Sequence, residues 1–154
     1  MDLLAHKSGI MADKIACSGM ENSPALLDML RSVSRQDLAI VPVTELCVGA
    51  ASDHKNILSR NYDYLFFSSG LWPEYHTARD TVAAIDFEKL ARFNLILQDI
   101  IIKSASRSGG YESGNCYDAM RQDCWRIIGK GMGCPENTSI EMIASNLNTA
   151  KMRE

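Results

Sequence analysis

Residues 77–106 read TARDTVAAIDFEKLARFNLILQDIIIKSAS, and the fold expected of the chain turns on them. The stretch contains neither Gly nor Pro and holds the densest apolar block, residues 95–102. Leu95-Ile96-Leu97 and Ile100-Ile101-Ile102 taken alone suit a buried strand, since β-branched residues favour strands. The charges favour a helix. Glu88 precedes Arg92 by four and Asp99 precedes Lys103 by four, both with acid before base, the better orientation for a helical pair. Arg92, Asp99 and Lys103 fall on one stripe, and Phe87, Leu90, Leu97 and Ile101 fill much of the remaining surface. Asp86 is placed to cap a fresh helical start. This reading puts the Leu97–Ile101 seam in the core and leaves Ile96 and Ile100 on the open side.

Outward from this helix, local signals define others. Ser23-Pro24 is an N-cap followed by proline at the first helical position, before an apolar face of Leu26, Leu27, Leu30 and Val33. Residues 116–128 read as a helix stopped by Gly129. Thr138 and Glu141 have capping-box spacing ahead of Ile140, Ile143 and Leu147. Two stretches are ambiguous. Residues 37–43, DLAIVPV, are apolar and β-branched but carry Pro42, which suits an edge strand. Residues 61–67 alternate aromatic and other side chains as a strand does. The expected fold is therefore mainly α: a single-domain bundle of five or six helices with room for one short strand pair, 37–43 with 61–67. Residues 1–20 are weakly patterned and read as an arm, and 148–154 as a frayed tail.

Composition narrows the function classes. The chain has 154 residues, enough for one domain with a real core, and 46% hydrophobic residues. A net charge of −3 gives no electrostatic support for nucleic-acid binding. No apolar run approaches the ~20 residues of a membrane span. Five cysteines, an odd number at irregular spacing, do not form a disulfide framework, and the N-terminus lacks a signal-peptide pattern. Cytoplasmic residence with reduced thiols is expected; delivery into a host cell as an effector fits equally.

The residues that could carry chemistry are few. Cys116 follows a Gly-containing loop at a helix start, where amide dipoles acidify a thiol, and His54 or His76 could serve as its base. The competing role for Cys116 and Cys124 is core packing. Cys116, Cys124 and Cys134 lack the paired spacing of a structural metal site, so neither metal nor cofactor is expected. The GKGMG run at 129–133 lacks the context of a phosphate loop. The last two helices are separated by too long a loop for a helix-turn-helix, and the second is poor in Lys and Arg. Trp72, Pro73, Tyr75 and His76 form an aromatic group in a turn, suited to anchoring a partner. The leading expectation is a non-enzymatic interaction module that binds a protein partner or a second copy through Trp72, Tyr75, Ile96 and Ile100. A small cysteine hydrolase or transferase using Cys116 with His76 or His54 comes second, and a DNA-binding regulator third.

Overall fold

The computed structural model describes residues 9–48, 52, 54–58, 62–70 and 74–151. It corrects the expected helical bundle with room for one short strand pair: the sheet has three strands. The centre of the molecule is a mixed three-stranded sheet in the order β2-β1-β3, built from β1 (Lys14–Ser18), β2 (Ala39–Pro42) and β3 (Phe66–Ser68). The two stretches expected to pair with each other each pair with β1 instead. β2 runs parallel to β1, with Ile15 opposite Ile40 and Cys17 opposite Pro42. β3 runs antiparallel, with Cys17 opposite Phe67 and Ser18 opposite Phe66. The central strand lies inside what read as an arm; residues 1–8 of that arm are outside the described residues.

Helix α1 (Pro24–Val33) makes the crossover from β1 to β2. Its start forms as the sequence predicts: Ser23 is extended and its side chain accepts from the Leu26 amide, with Pro24 at the head of the helix. Two short helices, α2 (Glu45–Val48) and α3 (Lys55–Leu58), follow β2. The long helix α4 spans Phe87–Ala105, and the Asp86 side chain accepts from the Lys89 amide at 2.9 Å. Helix α5 (Tyr117–Cys124) runs on into a π turn, Trp125–Gly129, and α6 spans Ile140–Lys151. At α6 the expected Thr138–Glu141 box is not the cap. Ser139 Oγ accepts from the Met142 amide, and the Glu141 carboxylate reaches across to Thr44 and Tyr117.

The strand alternation sorts these helices. Cys17 and Phe67 share one face, where Phe67 meets Phe93 of α4 edge-on at 5.1 Å. Ala16, Phe66 and Ser68 share the other face, which looks toward Ile143 and Leu147 of α6. Helix α5 packs along β2, an edge strand. Its Asp123, nearly buried, accepts from Arg31 of α1 and from Arg126, each at 2.7 Å.

The phase of α4 differs from the expected one. Its buried face is Lys89, Phe93, Ile96 and Ile100. Ile96 and Ile100 are core residues, whereas Ile101 is 57% exposed and Leu97 half-buried. The apolar block runs almost all round the helix, so period alone could not fix its rotation. The polar residues misled as well. Lys89 is fully buried and donates from Nζ to Met11 O and Ser69 Oγ, so a basic residue heads the inward stripe. Arg92 and Asp99 hold the boundary by reaching Asp37 O and Arg35.

This phase sets a stability contrast. Ile96→Ala is expected to cost about 2–5 kcal/mol, the range for emptying a buried aliphatic site. Ile101→Ser is expected to stay within about 0.5 kcal/mol. Urea denaturation of both variants checks the pair, and equal losses would show the rotation to be wrong.

Candidate functional site

The two parallel strands leave the sheet at the same end, where α/β sheets place their binding crevices. β1 ends at Ser18 and the chain continues Gly19-Met20-Glu21, and after β2 it reads Val43-Thr44-Glu45. Because β3 is antiparallel and Phe66 lies opposite Ser18, Tyr64 also falls at this edge.

Glu21 joins the two exits. One carboxylate oxygen accepts from the Gly19 amide at 3.0 Å and the other from the Glu45 amide. Thr44, one residue earlier, donates to Glu141 Oε1 at 2.7 Å, and Tyr117 donates to the other Glu141 oxygen at 3.0 Å. The start of α2 is thus held from two sides by two carboxylates, which fixes where Glu45 points.

Glu45 is the hub. Tyr64 OH donates to Oε2 at 2.8 Å, Ser18 Oγ donates to the same oxygen at 3.4 Å, and His54 Nε2 lies 2.8 Å from Oε1. An ionised carboxylate only accepts, so the His54 proton belongs on Nε2. His54 is 5% exposed, and its Nδ1 has no hydrogen-bond partner among the described residues. Its ring packs on Phe66 at 4.4 Å and near Tyr64 at 6.2 Å. Burial, then the Glu45 carboxylate, pushes the Tyr64 hydroxyl well above its ordinary value, so it stays a donor. Glu45 also borders a cleft of about 470 Å³ lined by Glu21, Asp63, Tyr62, Tyr64 and Tyr111.

Gly19 makes this packing feasible. Its φ is +105°, and a Cβ there would stand 2.2 Å from the Tyr64 carbonyl oxygen.

The expected site residues are scattered. Cys116 is buried at the start of α5, and its thiol donates to the carbonyls of Met20 and Glu21 at 2.8 and 3.3 Å. It clips the β1–α1 loop. Burial pushes this thiol up, the opposite of nucleophile activation. Burial also raises Cys17 and Cys47 and pushes Cys124 up to about 12. Among the described residues, no hydrogen bond or ring contact joins Cys116 to His54 or His76. His76 is exposed at φ 59°, its ring 3.9 Å from that of Tyr75. Trp72 lies outside the described residues. Of the expected residues, His54 alone belongs to the polar cluster. Glu21, Glu45, Tyr64 and Ser18 were missed, although an apolar run followed by Ser-Gly, an acid and Ser-Pro is a strand–turn–helix signal.

Comparison with protein-family models, curated proteins and solved structures finds no match to this chain.

Three outcomes follow from this geometry. Gly19→Ala is expected to destabilise the fold by roughly 1–3 kcal/mol through backbone strain alone, and by more if Tyr64 must move; thermal unfolding and the Tyr64 NMR signals report it. Iodoacetamide at neutral pH is expected to label Cys116 only on unfolding, and rapid native labelling would contradict the buried clip. For Glu141, burial raises the carboxyl, but hydrogen bonds from Thr44, its own backbone, Tyr117 and Ser139 outweigh it and hold the group below its ordinary 4.5. A depressed folded value gives stability that is present above the unfolded value and lost as pH falls through the folded one. The urea midpoint is thus expected to fall as pH drops below about 4.5, and less steeply in Glu141→Gln.

Proposed function

We propose that the chain is a small-molecule enzyme in which Glu45 transfers a proton to or from a neutral, hydroxyl-rich ligand held in the cleft. The observation that carries this reading is the hydrogen-bond line from the cleft inward. Glu45, its side chain 27% exposed, lies in front, and the His54 side chain, 4% exposed, stands directly behind it. A partly exposed carboxylate can exchange a proton with a bound ligand, and the buried imidazole N–H behind it holds the carboxylate in place. Tyr64 and Ser18 orient it.

The lining supports the ligand class. Glu21, Glu45 and Asp63 border the cleft, with no Lys or Arg among its described residues. Such a surface disfavours phosphates and carboxylates. It suits hydroxyl groups, which donate to carboxylates, and ring faces that rest on Tyr62, Tyr64 or Tyr111. A panel of neutral glycosides and nucleosides, followed by ligand-observed NMR and turnover assays, tests this directly. Glu45→Gln is expected to retain the fold and ligand binding and to lower turnover by about 10²–10⁴, the usual contribution of a positioned acid or base. Equal turnover in Glu45→Gln and the parent chain would remove Glu45 from the chemistry.

A second reading has its own support. Phe87, Leu95, Ile101 and Ile102 are exposed along the outer side of α4, with Phe87 at 61% and Ile102 at 62%. Exposed apolar side chains gathered on one side of a helix, here with exposed Asn94 and Gln98 among them, suit association, and two-fold pairing is its commonest form. In an antiparallel pair Glu88 of one copy would approach Lys103 of the other. Sedimentation at micromolar concentration is expected to give twice the 17.1 kDa chain mass. Leu95→Lys with Ile102→Lys is expected to return the monomer. A monomeric parent chain would remove this reading.

A further inference from the structure

On the face of the sheet opposite α4 lies a cavity of about 200 Å³, between Ala16 and Phe66 on the strands and Ile128, Ile143, Ala144 and Leu147 on the π turn and α6. We propose that this cavity is a binding pocket for a free, neutral, apolar molecule the size of one aromatic ring or an indole. Size is the first reason. Apolar cavities of about 150 Å³ stay dry and admit benzene, so a space of about 200 Å³ takes one ring with a small substituent.

Chemistry is the second reason. No Asp, Glu, Lys, Arg or His is among the described residues lining the cavity. An ionised ligand would lose its hydration there without compensation. Behind one wall, the Lys89 ammonium donates to Met11 O and Ser69 Oγ, and both residues border the space. Both of these acceptors are therefore already engaged by the protein.

The construction of the walls is the third reason. Ala16 on the central strand and Ala144 on α6 are small residues lining the same space, in a core built mostly of larger apolar side chains. Opposite them, the π turn closes with the Lys130 amide on Trp125 O at 2.7 Å. Such turns recur at functional sites because they displace side chains from the regular helical positions.

The pocket is distinct from the Glu45 cleft, and the two have no lining residue in common among the described residues. Cys47, Ser52 and Phe66 line the cavity, each two residues from Glu45, His54 and Tyr64 respectively, and the Phe66 ring lies against His54. A ring bound in the cavity would therefore rest behind the Phe66–His54 pair.

Indole and benzene, titrated into the full chain and followed by methyl NMR, test the proposal. The expected result is saturable binding with a dissociation constant on the order of 1 mM or tighter. The largest shifts are expected at Val43, Ile128, Ile143 and Leu147. Benzoate and benzylammonium are expected not to saturate. Ala144→Phe, which fills the space, is expected to abolish the response, and Ala16→Val does so from the opposite wall if the first variant fails to fold. Absence of saturation by both neutral probes, or shifts mapping elsewhere in the parent chain, overturns the pocket. Indole binding is expected to survive in Glu45→Gln. Loss of the proton-transfer reading therefore leaves this proposal standing, and the reverse also holds.

Discussion

The arrangement of this molecule depends on one carboxylate. Glu21 accepts a backbone amide from each of the two strand exits, Gly19 after β1 and Glu45 at the start of α2. Charge-assisted bonds of this kind are stronger than neutral ones, and here each ties a loop that has no ladder of its own. Without Glu21, the long Ser18–Glu45 bond would be the remaining side-chain link between the two exits among the described residues. Glu45 would then be held only by its own side-chain bonds to Tyr64, Ser18 and His54 and by the neighbouring Thr44–Glu141 bond. Cys116 reinforces the same loop from outside, through thiol bonds to the Met20 and Glu21 carbonyls. The polar edge and the helical shell are therefore one construction: α5 begins where the loop needs its carbonyls satisfied.

Sequence reading succeeded where the determining contacts are local. Ser23 and Asp86 cap helices through amides three residues away, and both are plain in the chain. It failed where partners are distant. β1 is five residues long, with Ala16 and Cys17 in the middle, and little in KIACS distinguishes it from a loop. It is a strand because Ala39–Pro42 and Phe66–Ser68 supply hydrogen bonds from both sides. The stretch 37–43 contains β2, whereas of 61–67 only Phe66 and Phe67 lie in β3 and the aromatic alternation before them is not strand; their common partner was invisible, so the two were paired with each other. The site suffered the same limit. Glu45 and His54 are nine residues apart and Glu21 is further away, and no short motif links them.

Helix α4 shows a different kind of failure. Its existence and its Asp86 cap were legible, but its rotation was not. Apolar residues surround it, and the residue that heads the buried stripe is Lys89. A reader who sends every charge to solvent turns the helix away from its true face. Burial of Lys89 is supported by Met11 O and Ser69 Oγ, groups contributed by the start of the described chain and by the end of β3. These partners become apparent only once the sheet is known.

The central place of β1 also has a consequence for synthesis on the ribosome. The strand emerges early, and β2 can join it as soon as α1 has formed, since the whole unit closes within residues 14–42. The opposite edge of β1 must wait for residues 66–68, and the face toward α6 must wait for residues 140–151. During that interval the nascent chain carries an unpaired edge beside Ile15 and Cys17, the kind of surface that recruits chaperones or neighbouring chains. Slow translation between residues 42 and 66 would prolong that exposure, whereas delays after residue 68 would leave the sheet's strands paired but still without α4, α5 and α6.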